Sequence, residues 1–210
     1  MPAGLITDLY DELFYLLEND RSSVLDFFTN NTLVFNNLKT FSDKDDLNRY
    51  IVLTSWYADS LNKKDRYSDT FELINRILPI IDSEITRLNT PELKNDWYYF
   101  ILFLKGTSSY NLHDFKTAIP IFKYLIKYDP KNEKYRNWLR HAVFRKRSRI
   151  VVVIYVACGI LLFCEIAFKG FGLVSYTFRQ TVLIIGLFTA LSTTAYEYYL
   201  KRNLRKSKLL

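Results

Sequence analysis

The chain has little of what builds most chemical sites. Its 210 residues include two cysteines, two histidines, six glycines, five prolines and one methionine. Both cysteines, Cys158 and Cys164, fall inside one apolar run, which excludes a secreted disulfide framework and a thiolate zinc site. They read as small apolar filler. Glycine is too scarce for a phosphate-cradling loop, and no metal-ligand spacing is present, so neither cofactor nor metal is expected. The N-terminus, Met-Pro-Ala-Gly-Leu-Ile followed by Asp8, Asp11 and Glu12, shows no basic region and no long apolar run. No signal peptide is therefore expected. No segment alternates with period two for long enough to predict a sheet.

What the chain does have is two apolar stretches near its C-terminal end. The first spans 150–168, IVVVIYVACGILLFCEIAF, with Glu165 its one ionisable residue; the second spans about 180–200 and is richer in Ser and Thr. About 20 helical residues cover about 30 Å, the thickness of a bilayer's hydrocarbon core. Two transmembrane helices joined by a short external loop over 169–179 are expected. Glu165 then reaches the outer interface and pairs with Lys169 or Arg179. The hydroxylated second stretch suits close helix packing in lipid.

Positive charge brackets this pair. Arg145, Lys146, Arg147 and Arg149 precede it, in a basic juxtamembrane helix over 141–149; Lys201, Arg202, Arg205, Lys206 and Lys208 follow it, in a tail over 201–210. Lys and Arg concentrate in cytoplasmic flanks. The expectation is an integral protein of a membrane such as the bacterial inner membrane, with the N-terminal domain and the C-terminus both cytoplasmic. Residues 1–139 hold 17 Lys/Arg against 20 Asp/Glu, a balance of −3 within a chain that is +7 overall. The excess positive charge therefore suits anionic lipid headgroups. It is not the basic face a nucleic-acid partner needs.

Residues 1–140 read as an all-α domain. Leu9, Leu13, Leu16 and Leu17 form one helical stripe; Val24, Leu25, Phe27 and Phe28 start a second, interrupted at Asn30-Asn31. Ser42 opens a third ahead of Asp43, Asp45 and Asp46. A fourth covers about 66–88, with Pro79 inside it as an expected kink. Thr90-Pro91 reads as cap and first residue of a fifth. From Glu133 no Gly or Pro intervenes before Cys158, which predicts one long helix running into the membrane segment.

Residues 97–130, WYYFILFLKGTSSYNLHDFKTAIPIFKYLIKYDP, resemble the tetratricopeptide repeat family, TPR, which packs two antiparallel helices per unit. The resemblance places Gly106, Ala118, Phe122, Leu125 and Pro130 on the family's packing and turn positions. A degenerate copy precedes it: Tyr67, Thr70, Ile74 and Ile77 align with Phe115, Ala118, Phe122 and Leu125 at an offset of 48. That offset exceeds the repeat length, so an elongated helix or insertion is expected between Pro79 and Asp96. The resemblance also implies a groove that holds a protein partner. One subset of the family grips C-terminal carboxylates with a Lys and an Asn. Here Phe103 and Thr107 stand at those positions, so that clamp is absent. Trp97, Tyr98, Phe103, Thr107 and Tyr110 are the candidate partner contacts, because so many aromatics exceed what one buried face absorbs; equally, these rings pack on the first two helices.

Arg136-Asn137-Trp138-Leu139-Arg140-His141 resembles the R-N-x-x-x-H signature of HEPN ribonucleases. The resemblance implies that Arg136 stabilises phosphate charge and His141 acts as acid or base. His113 reads as a surface-loop residue. The expected function is a membrane-anchored TPR-like scaffold without catalysis. The alternatives are a membrane-linked HEPN-like ribonuclease or antiviral effector, and a subunit of a homo-oligomeric membrane assembly or pore.

Overall fold

Short polar residues, Asp43, Asn95 and Asp114, cap three of the helices. A computed structural model describes residues 5–19 and 24–169 and, beyond them, thirteen single positions between 180 and 202. The helices are α1 (Leu5–Asn19), α2 (Val24–Asn30), α3 (Thr32–Asn37), α4 (Lys44–Lys63), α5 (Tyr67–Leu88), α6 (Asp96–Asn111), α7 (Phe115–Tyr128) and α8 (Glu133–Lys169). Among the described residues there is no strand, and the fold is all-α. Asn31 interrupts α2 and α3 as expected. α8 runs unbroken past Ile150, as the lack of Gly and Pro before Cys158 predicts.

Two helix starts differ from expectation. Asp43, not Ser42, caps α4: its carboxylate accepts from the N–H groups of Asp45 and Asp46, both at 2.9 Å. Thr90-Pro91 opens only a three-residue 3-10 turn, Pro91–Leu93, and the Thr90 hydroxyl is buried without a hydrogen-bond partner. Leu93 is buried and ends that turn on the core. Asn95 then caps α6 through the N–H groups of Trp97 and Tyr98.

The chain divides into two units, Met1–Leu139 and Arg140–Leu210. In the first, α4 packs on α5, α5 on α6, α6 on α7, and α4 also on α6. Tyr50, Ile51, Leu53, Ile74, Ile81 and Ile101 are its buried centre. α1 lays Ile6, Leu9 and Leu13 inward and packs on α4. Phe28 of α2 is fully buried and stacks on Tyr57, centroids 4.5 Å apart. The loop before α4 is clamped to α5: Glu84 accepts from Phe41 N–H at 2.9 Å, while Arg87 donates to Phe41 C=O at 2.5 Å and to Glu84 at 2.7 Å.

The hairpins α4–α5 and α6–α7 are built alike. α5 starts at Tyr67 and α7 at Phe115, 48 residues on. Each preceding turn has three residues, with the middle one left-handed: Asp65 at φ 57° and His113 at φ 65°. Arg66 N–H donates to Leu61 C=O as Asp114 N–H does to Ser109 C=O, and Asp65 N–H to Asn62 C=O as His113 N–H does to Tyr110 C=O. The extra length lies where it was expected: α5 has 22 residues against 14 in α7, and the 3-10 turn follows it.

In the second unit, Val152, Val153, Val156, Ile160 and Phe163 of α8 are exposed, as are Ile184, Phe188 and Leu191. The hydroxyls of Tyr155 and Thr194 lie 2.6 Å apart. Among the described residues, no helix is long and apolar enough to cross a membrane. The side chains of Cys158, Leu161, Leu162, Cys164, Glu165 and Lys169, the loop 170–179 with Arg179, and much of the predicted second span lie outside the described residues.

Candidate functional site

α6 is enclosed on nearly every side, because α4, α5 and α7 surround it. Four of its five predicted partner contacts are therefore interior. Phe103 and Tyr110 are 5% and 7% exposed and pack around Trp138, with centroids at 6.2 and 5.0 Å. Trp138 also stacks on Phe122 at 6.0 Å, so the start of α8 closes the α6–α7 hairpin. Thr107 is buried and donates to Leu104 C=O at 3.0 Å. Tyr98 is buried with its hydroxyl on Asp82 at 2.9 Å. These four pack in the interior of the domain and present no surface to a partner in this structure. Trp97 alone of the five reaches the surface, at 37% exposure.

The predicted packing positions lie together in the interior. Ala118, Phe122 and Leu125 are fully buried. A Cβ at Gly106 would stand 2.8 Å from Phe122 Cε1, so this ring occupies the place of a side chain. Pro130 is exposed in the turn after α7. In the preceding hairpin Thr70, Ile74 and Ile77 are buried as their counterparts are.

Neither a protein-family model, nor a curated protein, nor a solved structure matches the chain. The site must be read from its own geometry.

Tyrosines collect at the outer edge of α6 and α7. Tyr99 stacks on Tyr128, whose hydroxyl donates to Asp96 at 3.0 Å. Burial, then the hydrogen bond to Tyr124, pushes the Tyr99 phenol up to about 12; burial, then Asp82, pushes Tyr98 up as well. These phenols stay neutral near pH 7 and act as packing and hydrogen-bond groups. Burial lowers the pKa of Lys105, whose ammonium lies 5.9 Å from the Phe71 ring centre.

A groove of about 470 Å³ opens between α1 and α4, lined by Phe14, Leu17, Glu18, Asn19 and Trp56. Trp97 abuts Trp56 at 6.3 Å, and Phe100 abuts Trp97 at 6.3 Å. The Trp56 indole N–H is buried and has no hydrogen-bond partner. The wall of α1 is acidic: Asp8, Asp11, Glu12 and Glu18 are exposed, and the helix carries no Lys or Arg. Sequence reasoning missed this groove. Trp56 reads as one more apolar position of α4, and its neighbours on α1 are about 40 residues away in the chain.

Arg136 and His141 both lie on α8. Arg136 donates to Lys131 C=O at 3.2 Å, across the start of the helix, and His141 is exposed. Among the described residues, no group of three or more His, Cys, Asp and Glu is placed to hold a metal. Of the predicted membrane-flanking residues, Arg145, Lys146, Arg147 and Arg202 are exposed; Lys201, Arg205 and the Arg149 side chain lie outside the described residues.

Proposed function

We propose that the chain is a membrane-anchored scaffold: a TPR-like helical domain, carried on a membrane hairpin, that holds a protein partner at the cytoplasmic face. The observation that carries this reading is the bare apolar surface of the second unit. Val153 is 68% exposed, Phe163 72%, Ile184 67% and Phe188 73%. Soluble monomers rarely leave contiguous apolar surface of this kind in water. Lipid is the solvent such side chains fit. Tyr155 lies 14 residues before Lys169, the end of α8, and Thr194 lies 14 residues after Gln180, where the second stretch begins. Their contact therefore suits two antiparallel helices of equal depth, with a hydroxyl pair serving as interhelical glue. Tyr196, Tyr198 and Tyr199 are exposed just before Lys201 and Arg202, the order expected at a membrane–water interface.

The domain reading rests on the two hairpins with like turns and on the α4–α6 contact that runs between them. A stack of paired helices offers surface without needing catalytic groups. Affinity purification of the full-length chain from membranes in mild detergent tests the function. A distinct protein recovered in fixed ratio supports the scaffold. Recovery of nothing but copies of the chain itself would replace it with a self-assembled membrane complex.

A further inference from the structure

We infer that the groove between α1 and α4 docks a cationic segment, one bearing arginine or lysine, of the protein partner. The inference rests on the scaffold reading and says where and how the partner is held. Three observations meet at this groove. Its floor is aromatic, with Trp56 in the groove and Trp97 against it. Indole is the ring that attracts a cation most strongly to its face. Its rim is anionic: Glu18 lines the groove, α1 also exposes Glu12, Asp11 and Asp8, and the helix itself carries no Lys or Arg.

The third observation is the indole itself. Trp56 makes no hydrogen bond through its N–H, so packing alone sets its orientation. The ring can settle against an incoming group without breaking a polar contact. A guanidinium stacked on Trp56 with its edge toward Glu18 would satisfy the carboxylate and the ring face together. An acidic segment would meet the α1 carboxylates and be repelled. A wholly apolar one would leave Glu18 desolvated and unpaired. The surrounding unit adds long-range attraction of the same sign, with its balance of −3.

The test uses the full-length chain in a non-ionic detergent and a fluorescein-labelled hexapeptide alternating leucine and arginine, followed by anisotropy. Saturable binding is expected for this peptide and not for its counterpart with glutamate in place of arginine. Glu18→Gln and Trp56→Leu should each weaken binding about fivefold or more. Glu72→Gln, which removes an exposed acid on α5, should leave it unchanged. Equal binding of the glutamate peptide, or equal loss from Glu72→Gln and Glu18→Gln, would overturn the inference. So would full binding by Glu18→Gln, a surface change that keeps the fold whatever Trp56→Leu does. If a partner still co-purifies with the chain while the groove fails these tests, the scaffold reading stands and the docking site lies elsewhere.

Discussion

Gly106 has no side chain because Phe122 fills the space where one would go. A methyl group there meets the ring at 2.8 Å, and the ring is itself fully buried. Gly106→Ala should therefore destabilise the domain by about 1–3 kcal/mol, although alanine favours a helix over glycine. Gly159→Ala, whose added methyl group meets no described residue within 4 Å, is the matched control and should cost nothing measurable. Thermal melts followed by tryptophan emission separate the two. His113 carries a different constraint. Its φ of 65° lies in the left-handed region, where a β-branched side chain clashes with its own backbone. His113→Val should cost about 1–2 kcal/mol, while His113→Gly should be neutral or slightly stabilising. The opposite order would mean that the imidazole, and not the backbone, matters at this turn.

Among the elements, α5 shows how much a helix can do beyond bury one face. Its Glu84 and Arg87 hold the loop before α4 by both groups of the Phe41 peptide. The Arg87 hydrogen bond, helped by the Phe41 N–H, lowers the Glu84 pKa below the usual carboxylate value, while burial opposes the shift. A lowered folded-state pKa means that the stabilisation is fully present above the unfolded pKa, about 4.3 for Glu, and is lost as pH falls through the folded value. Glu84→Ala should cost about 1–3 kcal/mol at pH 7, because Phe41 N–H is left buried without an acceptor. Denaturant titrations at pH 7, 5 and 3.5 should show the gap between wild type and variant narrowing toward acid. A gap that held constant would mean the clamp is not ionic. Much at this scale is legible in the sequence. The break at Asn31 and the unbroken α8 follow from local composition, and the packing set around Gly106 is the one that the resemblance to the tetratricopeptide repeat implies. What escapes is long-range. Thr90-Pro91 carries a sound local start signal, yet Leu93 is drawn into the core and the helix proper waits for Asn95. The aromatics of α6 look like a surplus until the helices on its other sides are counted. The groove at Trp56 exists only because α1 docks on α4, which no local pattern announces.

For the molecule as a whole, charge and apolar surface must be weighed in separate parts. Residues 1–139 bury their own core and carry a slight negative balance, which disfavours adsorption to an anionic bilayer. On the proposed reading, attachment falls to the exposed apolar side chains of α8 and its companion stretch. Flotation of lysed-cell membranes through a density gradient, after an alkaline wash, should carry the full-length chain upward with the lipid; a chain ending at Leu139 should stay at the bottom. Flotation is the right measurement because an aggregate also pellets but does not rise. Placing arginine at Val153 and Val156 together sharpens the test. An arginine costs about 2.5–3.5 kcal/mol at the centre of a membrane helix on the insertion scale and less toward its ends. Val153 and Val156 lie six and three residues from the centre of 150–168, so the pair opposes insertion by less than about 5–7 kcal/mol. The double variant should lose flotation. If those valines instead cover a protein surface, the same substitutions would disturb folding while the wild-type chain, needing no lipid, would remain in the supernatant without detergent. That last outcome would leave the exposed valines, isoleucines and phenylalanines as a docking face for another protein, and the hairpin would have to be abandoned.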